Sequence, residues 1–285
     1  MPSLIRDIQT EVTLLRKRPG TWVLLSVWLV LSQVFAYIFP YFTYRGDPSA
    51  TAPGNPGQSI LSTLLPDQIV PALVGGFAFY GGVIALILGV LTFGSEFGWN
   101  MWKTLFTQRL GRSHIFLAKV GALAVILLPF GVLEFIVGTV TSVLIALQEN
   151  AAISWPPFFD VLQAIASGWA IMMVWAAIGM LLAVLTQGTS LAIGLGILYA
   201  LVIEGTVSAF ANSISWLEPI VNGFLRANAY SLIAPLSASS SQASNGPGSF
   251  SGPFVDPAQA LVVLAGYLAI SVVLSLWVMR RRDIA

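Results

Sequence analysis

Six long apolar stretches dominate the sequence, and they constrain the fold more than any other feature. Each is close to or above the roughly 20 residues that a helix needs to cross a bilayer. Only 9% of the 285 residues are charged and 56% are hydrophobic, whereas a soluble domain carries roughly 25% charged residues. The sequence therefore predicts an all-α polytopic membrane protein with six spans, at about 21–43, 68–94, 114–147, 161–186, 190–214 and 258–279.

The Lys and Arg residues indicate how these spans are oriented. Eleven of the thirteen lie before the first span, between the second and third, or after the sixth; only Arg45 and Arg226 lie elsewhere. Six spans bring those three regions to one side, and basic flanks favour the cytoplasm. We therefore expect both termini to be cytoplasmic. No small-residue cleavage site follows the first apolar stretch, so we interpret it as a retained span, not a signal peptide.

A polar, basic segment separates the second and third spans. Within 95–111 the apolar residues recur at helical spacing and predict a short amphipathic helix, with Ser95 as its cap, Arg109 in its last turn and Gly111 at its end. Glu96 would lie where the helix dipole favours an anion. Such a helix fits two roles, an anchor on the membrane surface or a docking site for a cytoplasmic partner.

Residues outside the spans predict further elements. Residues 1–20 form an amphipathic stretch that ends at Pro19-Gly20, which predicts a cytoplasmic interfacial helix before a single transmembrane domain, 21–285. The Pro- and Gly-rich segment 43–59 is typical of an irregular loop. Segment 237–253 is rich in Ser and Gly and predicts a flexible loop. Segment 215–236 is too polar to span, and we expect short helices there, lying on or re-entering the outer leaflet.

The stretch "GSEFGWNMWKTLFTQRLGRSHIFLAKV" resembles the cytoplasmic loop of ABC-2 type permeases, the membrane subunits of ABC exporters. That family has a Glu soon after the second span, a short coupling helix, a basic residue and a Lys that opens the third span. Glu96, Lys103, Arg112 and Lys119 match this pattern. The six-span plan, the amphipathic start and the re-entrant region before the last span extend the resemblance.

The resemblance implies a type V exporter-like fold in which 95–111 is the coupling helix. It implies that this helix binds a separate P-loop ATPase subunit, which would hold ATP and Mg²⁺, and that a second copy or a homologous permease completes the pathway. The chain itself has no G-x-x-x-x-G-K-[ST] phosphate loop, so we expect no enzymatic activity and no directly bound cofactor or metal. The implied location is the plasma membrane of a prokaryotic cell. The partner-binding residues would be Glu96, Trp99, Lys103, Thr104 and Arg109.

Two carboxylates in the spans leave alternatives open. Glu134 and Glu204 lie near the middle of the third and fifth spans, where a charged side chain costs roughly 2.5–3.5 kcal/mol. They would line a substrate path, make interhelical hydrogen bonds, or serve an ion- or proton-coupled secondary transporter. An intramembrane enzyme has less support, because the chain has no Cys and its only His, His114, is expected in a solvated loop.

Small and aromatic residues predict packing and depth. Glycines in the second and fifth spans favour close helix contacts, and tryptophans near the span ends are typical of membrane interfaces. The glycines are Gly75, Gly76, Gly81, Gly82, Gly89, Gly194 and Gly196, and the tryptophans are Trp22, Trp155, Trp216 and Trp277.

Overall fold

A computed structural model describes residues 4–52, 55–98, 112–211, 215–236 and 255–281. Six of its helices are long and apolar enough to cross a membrane. The predicted all-α polytopic membrane protein is thereby confirmed. The spans, numbered in chain order, are Pro19–Gly46, Pro66–Phe97, Ser113–Gln148, Phe158–Thr186, Ser190–Ser208 and Pro257–Arg281.

Three of the six spans contain a π-helical stretch between α-helical parts. The elements before and within spans 1 and 2 are α1 (Leu4–Lys17), α2 (Pro19–Gln33), π-helix Val34–Ile38, α3 (Phe39–Gly46), α4 (Ile60–Thr63), a 3₁₀ turn at Pro66–Gln68, α5 (Ile69–Gly76), π-helix Phe77–Gly81 and α6 (Gly82–Gly98). The later elements are α7 (Arg112–Gln148), α8 (Phe158–Thr186), α9 (Ser190–Ile197), π-helix Leu198–Ile203, α10 (Glu204–Ala211), α11 (Glu218–Val221), α12 (Leu225–Ile233) and α13 (Pro257–Arg281).

Spans 2 and 4 form the centre of the bundle, where glycines bring their backbones together. A Cβ atom on Gly89 would lie 2.1 Å from the carbonyl oxygen of Ala176, and one on Gly179 would lie 2.1 Å from that of Leu86. Neither position has room for any side chain. The predicted close packing is therefore found at Gly89, whereas a Cβ on Gly194 would meet nothing within 4 Å.

The other spans surround this pair with different degrees of burial. The most apolar windows of spans 2 and 4 are 72% and 67% buried, whereas those of spans 1, 5 and 6 are 28%, 22% and 22% buried. The outward faces of spans 1, 5 and 6 carry large apolar side chains such as Val30, Val202 and Val273. Apolar side chains on an exposed helix face are what contact with lipid tails requires.

The helix α1 lies against the start of span 3. Leu15 is buried, and the end of the Ile8 side chain fills the space beside Gly121. The amphipathic pattern of residues 1–20 predicts one apolar stripe made of Leu4, Ile5, Ile8, Val12 and Leu15, and the structure buries only part of it. Leu4 and Ile5 are both exposed, and the stripe therefore contacts the bundle only through its later residues.

The segment 43–59, predicted as an irregular loop, has more regular structure than expected. The helix of span 1 continues to Gly46, and an antiparallel hairpin pairs Thr51–Ala52 with Asn55–Ser59. Asp47 ends the helix in a turn in which its carboxylate accepts hydrogen bonds from the Ser49 backbone N–H and hydroxyl. These bonds lower the pKa of Asp47 below its usual range.

Short helices fill the segment 215–236, as the sequence predicted. The helix α12 buries Leu225 and Ile233, and the hydroxyl of Tyr267 in span 6 donates to the carbonyl of Gly223 over 2.9 Å. The described part of span 5 ends as a helix at Ala211, and residues 212–214 lie outside the described residues.

Both described chain ends lie at the same end of the bundle. Asp7 in α1 contacts His114 at the start of span 3, and the Arg280 guanidinium at the end of span 6 donates to Ser113. We name this the basic end. The opposite end carries Glu149, whose carboxylate accepts from Tyr41 over 2.7 Å.

Candidate functional site

A buried polar cluster at the basic end joins three helices. The ammonium of Lys119, which is 1% exposed, donates to Glu96 Oε1 over 2.5 Å and to Glu11 Oε2 over 2.9 Å. These residues belong to span 3, span 2 and α1 respectively. Two carboxylates therefore share one ammonium in a region shielded from water, where a charge pair is worth more than at the surface.

Arg18 connects the same cluster to span 1. Its guanidinium donates to the Leu91 carbonyl over 3.3 Å and to the Ser95 hydroxyl over 3.0 Å, and lies 3.9 Å from Glu96 Oε1. We call the four residues Glu11, Arg18, Glu96 and Lys119 the basic-end cluster. The linker between α1 and span 1 is thus fixed to the last turns of span 2.

The predicted partner-binding residues have separate outcomes. Ser95 and Glu96 do not begin a new helix, because α6 runs through them to Gly98 and the Ser95 hydroxyl donates to the Leu91 carbonyl. Glu96 is only 2% exposed and its carboxylate faces Lys119. The remaining predicted partner-binding residues lie outside the described residues: Trp99, Lys103, Thr104 and Arg109.

His114 differs from its predicted place in a solvated loop. It lies in the first turn of α7, half-buried, with its Nε2 atom 2.7 Å from Asp7 Oδ2. The prediction overlooked that an acidic residue of α1, more than a hundred positions earlier, packs against this turn. No neighbouring Ser completes a catalytic dyad with it in the contacts of the described residues.

Glu134 lies at the contact between spans 1 and 3. Its side chain is fully buried, and its Oε1 atom accepts hydrogen bonds from the Ser32 hydroxyl and, over 3.4 Å, from the Gln33 amide. The Thr141 hydroxyl donates to the Gln33 carbonyl oxygen over 2.8 Å. The indole of Trp28 also donates across this contact, to the Phe130 carbonyl over 3.2 Å. Glu134 therefore makes the interhelical hydrogen bonds that the sequence left open.

Glu204 lies at the start of α10 and holds the helix α12. Its Oε1 atom accepts from the Leu225 backbone N–H over 2.8 Å, and its Oε2 atom accepts from that of Arg226 over 3.0 Å. The first N–H groups of a helix have no partner within the helix. The Glu204 carboxylate, which lies in span 5, is the hydrogen-bond acceptor for two of these N–H groups. Its negative charge is also favourable at the positive end of the α12 helix dipole.

Tyrosines in the π-helical stretches accompany both carboxylates, and sequence reasoning missed them. Tyr37 and Tyr80, in spans 1 and 2, lie near Glu134, and Tyr199, in span 5, lies near Glu204. π-Helical turns often mark functional sites. A π-helical turn does not change the pattern of apolar residues, so the sequence carried no sign of these three stretches. A Tyr and a Glu in different spans were the only available indication of the tyrosines.

The two intramembrane carboxylates do not form one site. Glu134 binds side chains of span 1, whereas Glu204 binds backbone groups of α12. Over the residues that the structure describes, no group of three or more His, Cys, Asp or Glu side chains is placed to hold a metal ion. The polar side chains of these sites make hydrogen bonds and charge pairs between helices.

The fold and the buried polar contacts define a multi-pass α-helical membrane protein whose spans are joined by charged and polar side chains. Over residues 72–285 the chain matches the sequence profile of DUF2705, a family described as a protein of unknown function. The chain belongs to this family. None of the curated proteins compared with it matches.

Proposed function

We propose that the chain is the permease subunit of an ATP-binding cassette exporter, driven by ATP that a separate P-loop ATPase subunit hydrolyses. The proposal rests on the resemblance of 94–120 to ABC-2 permeases, on the six-span plan and on one structural observation. That observation is the buried Glu96–Lys119 pair, which joins the end of span 2 to the start of span 3 on either side of the segment 99–111.

The Glu96–Lys119 pair would help the segment 99–111 to transmit force to the spans on either side of it. A partner that pushed on 99–111 would act on both spans together, because their ends are bonded to each other and, through Glu11 and Arg18, to α1 and span 1. Removing one member of a buried pair costs about 3–5 kcal/mol.

In this proposal the basic end faces the cytoplasm, the membrane is the plasma membrane of a prokaryotic cell, and a second copy or a homologous permease completes the pathway. ATP and Mg²⁺ would bind the partner subunit, and this chain would bind the partner through Lys103 and its neighbours.

The alternative is an ion- or proton-coupled secondary transporter that uses Glu134 and Glu204 together. It has weaker support because the two carboxylates bind different elements, and Glu204 has both oxygens engaged by the N-terminus of α12. Transport that persists without any ATPase and stops when the ion gradient is collapsed would favour this alternative.

Co-purification tests the partner. The chain should be isolated from the membranes of its own cells through a tag on the chain, and any P-loop ATPase that co-purifies should be identified by mass spectrometry. We expect the ATPase to bind the unaltered chain and the Arg45→Glu control, which changes an exposed charge at the opposite end, and to be lost from Lys103→Glu. If no ATPase binds, or if Lys103→Glu binds as well as the control, the proposal is wrong.

Cysteine labelling tests the orientation, since the natural chain has no Cys. Lys17 and Ser49 are exposed at the basic and the opposite ends respectively. We expect a membrane-impermeant maleimide to label Ser49→Cys on intact cells, and Lys17→Cys only after the cells are permeabilised. The reverse pattern would place the basic end outside and would remove the proposed contact with a cytoplasmic ATPase.

A further inference from the structure

We propose that the junction between α1 and span 1 binds one anionic phospholipid, with its phosphate at Arg16 and Lys17 and its acyl chains on the apolar face of span 1. The proposal goes beyond the transport function above and does not depend on it. It rests on the two exposed cations, on an indole that is hydrogen-bonded to the same helical turn, and on the exposed apolar stripe that continues from that indole.

The carboxylates of α1 are both used on the side of the helix that packs against span 3. Asp7 lies 2.7 Å from the histidine of that span, and Glu11 lies 2.9 Å from its buried lysine. The basic residues Arg6, Arg16 and Lys17 are exposed, and in the described parts of the chain no ion pair includes them. The exposed face of α1 therefore carries three positive charges, while its acidic residues are already paired.

An indole connects the last turn of α1 to span 1. The Nε1–H group of Trp22 donates to the Arg16 carbonyl over 2.7 Å, so the ring lies against the turn that holds Arg16 and Lys17. The Trp22 side chain is still 53% exposed. Tryptophan at the end of a span is typical of the headgroup level of a membrane. Because the hydrogen bond joins the ring to this turn, the two cations lie next to that level.

A second exposed indole marks the same end of the bundle. Trp277, near the end of span 6, is 51% exposed, and the Arg281 guanidinium lies over its ring, 4.6 Å from the centroid. Such a contact pairs the cation with the face of the ring. The exposed tryptophans of spans 1 and 6 therefore both lie beside basic residues, as is expected where a bundle meets lipid headgroups.

The apolar face of span 1 begins beside Trp22. Val23, Val27 and Val30 recur at helical spacing along α2 and are 59%, 42% and 61% exposed. Apolar side chains on an exposed face of a span contact acyl chains. Two cations, an indole and an apolar stripe thus follow one another along the surface, in the same order as the phosphate, the glycerol region and the acyl chains of a phospholipid.

The charge of this surface favours an anionic lipid over a zwitterionic one. Phosphatidylcholine carries a cation beside its phosphate, whereas phosphatidylglycerol has a net negative charge. Basic residues next to a span attract anionic lipids. Since the carboxylates of α1 are held by span 3, the positive charges of Arg16 and Lys17 are available to such a headgroup.

Native mass spectrometry tests the site without an ATPase or a known substrate. The purified, delipidated chain is titrated in detergent micelles with phosphatidylglycerol, phosphatidylcholine or sn-glycerol 3-phosphate. We expect saturable binding of one phosphatidylglycerol per chain, and binding of phosphatidylcholine that is weaker by about tenfold or more. Glycerol phosphate, which has no acyl chains, should not bind at the same concentrations.

Two variants locate the site. The double variant Arg16→Gln with Lys17→Gln should weaken the binding of phosphatidylglycerol by about 25-fold, or about fivefold for each cation, and should leave that of phosphatidylcholine unchanged. Arg6→Gln is the matched control, because it removes an exposed cation of the same helix about 15 Å away, and it should bind as the unaltered chain does. All three side chains are exposed, so these changes leave the packed helices intact.

Four results would overturn the proposal. The first is equal binding of phosphatidylglycerol and phosphatidylcholine. The second is a double variant that binds phosphatidylglycerol as tightly as the Arg6→Gln control. The third is glycerol phosphate that binds as tightly as the lipid, which would indicate a site for a free anion. The fourth is a dimer that binds no phosphatidylglycerol, which would assign this face to a second copy of the chain.

Discussion

Replacing Gly89 by Ala tests the contact between spans 2 and 4 directly. The new Cβ atom would lie 2.1 Å from the carbonyl oxygen of Ala176, whereas a carbon–oxygen contact needs about 3.3 Å. The two backbones must therefore separate by about 1.2 Å. Because the obstacle is a backbone atom in the middle of a helix, it cannot rotate away as a flexible side chain would.

The expected loss of stability follows from that separation. A gap of about 0.5–1 Å already forfeits a quarter to a half of each dispersion contact across an interface. Overpacking in a rigid core costs about 1–3 kcal/mol, and we expect Gly89→Ala to lie at the upper end of this range. Gly194→Ala is the matched control, because a Cβ there meets nothing within 4 Å and Ala in a helix gains about 0.5–1 kcal/mol over Gly.

The assay is unfolding by SDS in mixed micelles, followed by tryptophan fluorescence. Gly89→Ala should unfold at a lower SDS fraction than the unaltered chain, and Gly194→Ala at the same or a higher fraction. The double variant with Gly179→Ala should cost less than the two single changes added together, since one separation of the helices relieves both clashes. Equal midpoints for Gly89→Ala and Gly194→Ala would refute the close approach of these two backbones.

Three further changes test the polar contacts. Lys119→Met should lower the free energy of unfolding by about 3 kcal/mol in the same SDS assay, because it leaves Glu96 buried without its ammonium; a change below about 1 kcal/mol would contradict a buried pair. Glu204→Gln keeps only one acceptor oxygen for two backbone N–H groups, so amide hydrogens of α12 should exchange faster by mass spectrometry; unchanged exchange would refute the cap. Since the pKa of Asp47 is lowered in the folded chain, its turn contributes stability above the usual Asp pKa and loses it as the pH falls through the lowered value; NMR titration of Ser49→Ala should show that pKa moving back up, and an unmoved pKa would contradict the hydrogen bonds.

The apolar spans were predictable from the sequence, and their exact ends were not. Composition alone separates long apolar stretches from polar ones, and all six were found. Span 2 was expected to end at residue 94, because Ser95 was interpreted as the cap of a separate helix. The helix continues through Glu96 because Lys119, in another span, neutralises its carboxylate. The composition of a segment does not show which residue of another segment will pair with its charge in the folded chain.

The same limit applies to the candidate sites. Glu134 and Glu204 stood out in the sequence because carboxylates are rare in apolar spans. Their partners could not be predicted: Ser32 lies 102 positions before Glu134, and Leu225 lies 21 positions after Glu204. Gly179 was missed for a different reason, since the two glycines of span 4, Gly168 and Gly179, are too far apart in the sequence to form a cluster.

The two kinds of helix contact divide the bundle into a fixed and a movable part. Spans 2 and 4 meet through backbone contacts at Gly89 and Gly179 that leave no free volume. Hydrogen bonds at Glu134 join span 1 to span 3, and those at Glu204 join span 5 to α12. In membranes such bonds are worth only about 0.6 kcal/mol each on average. A transport cycle of the proposed kind has to rearrange some interface between spans. Breaking a few hydrogen bonds costs less than separating a close-packed pair, so we expect spans 2 and 4 to stay together and the rearrangement to occur at hydrogen-bonded contacts such as the one between spans 1 and 3 at Glu134.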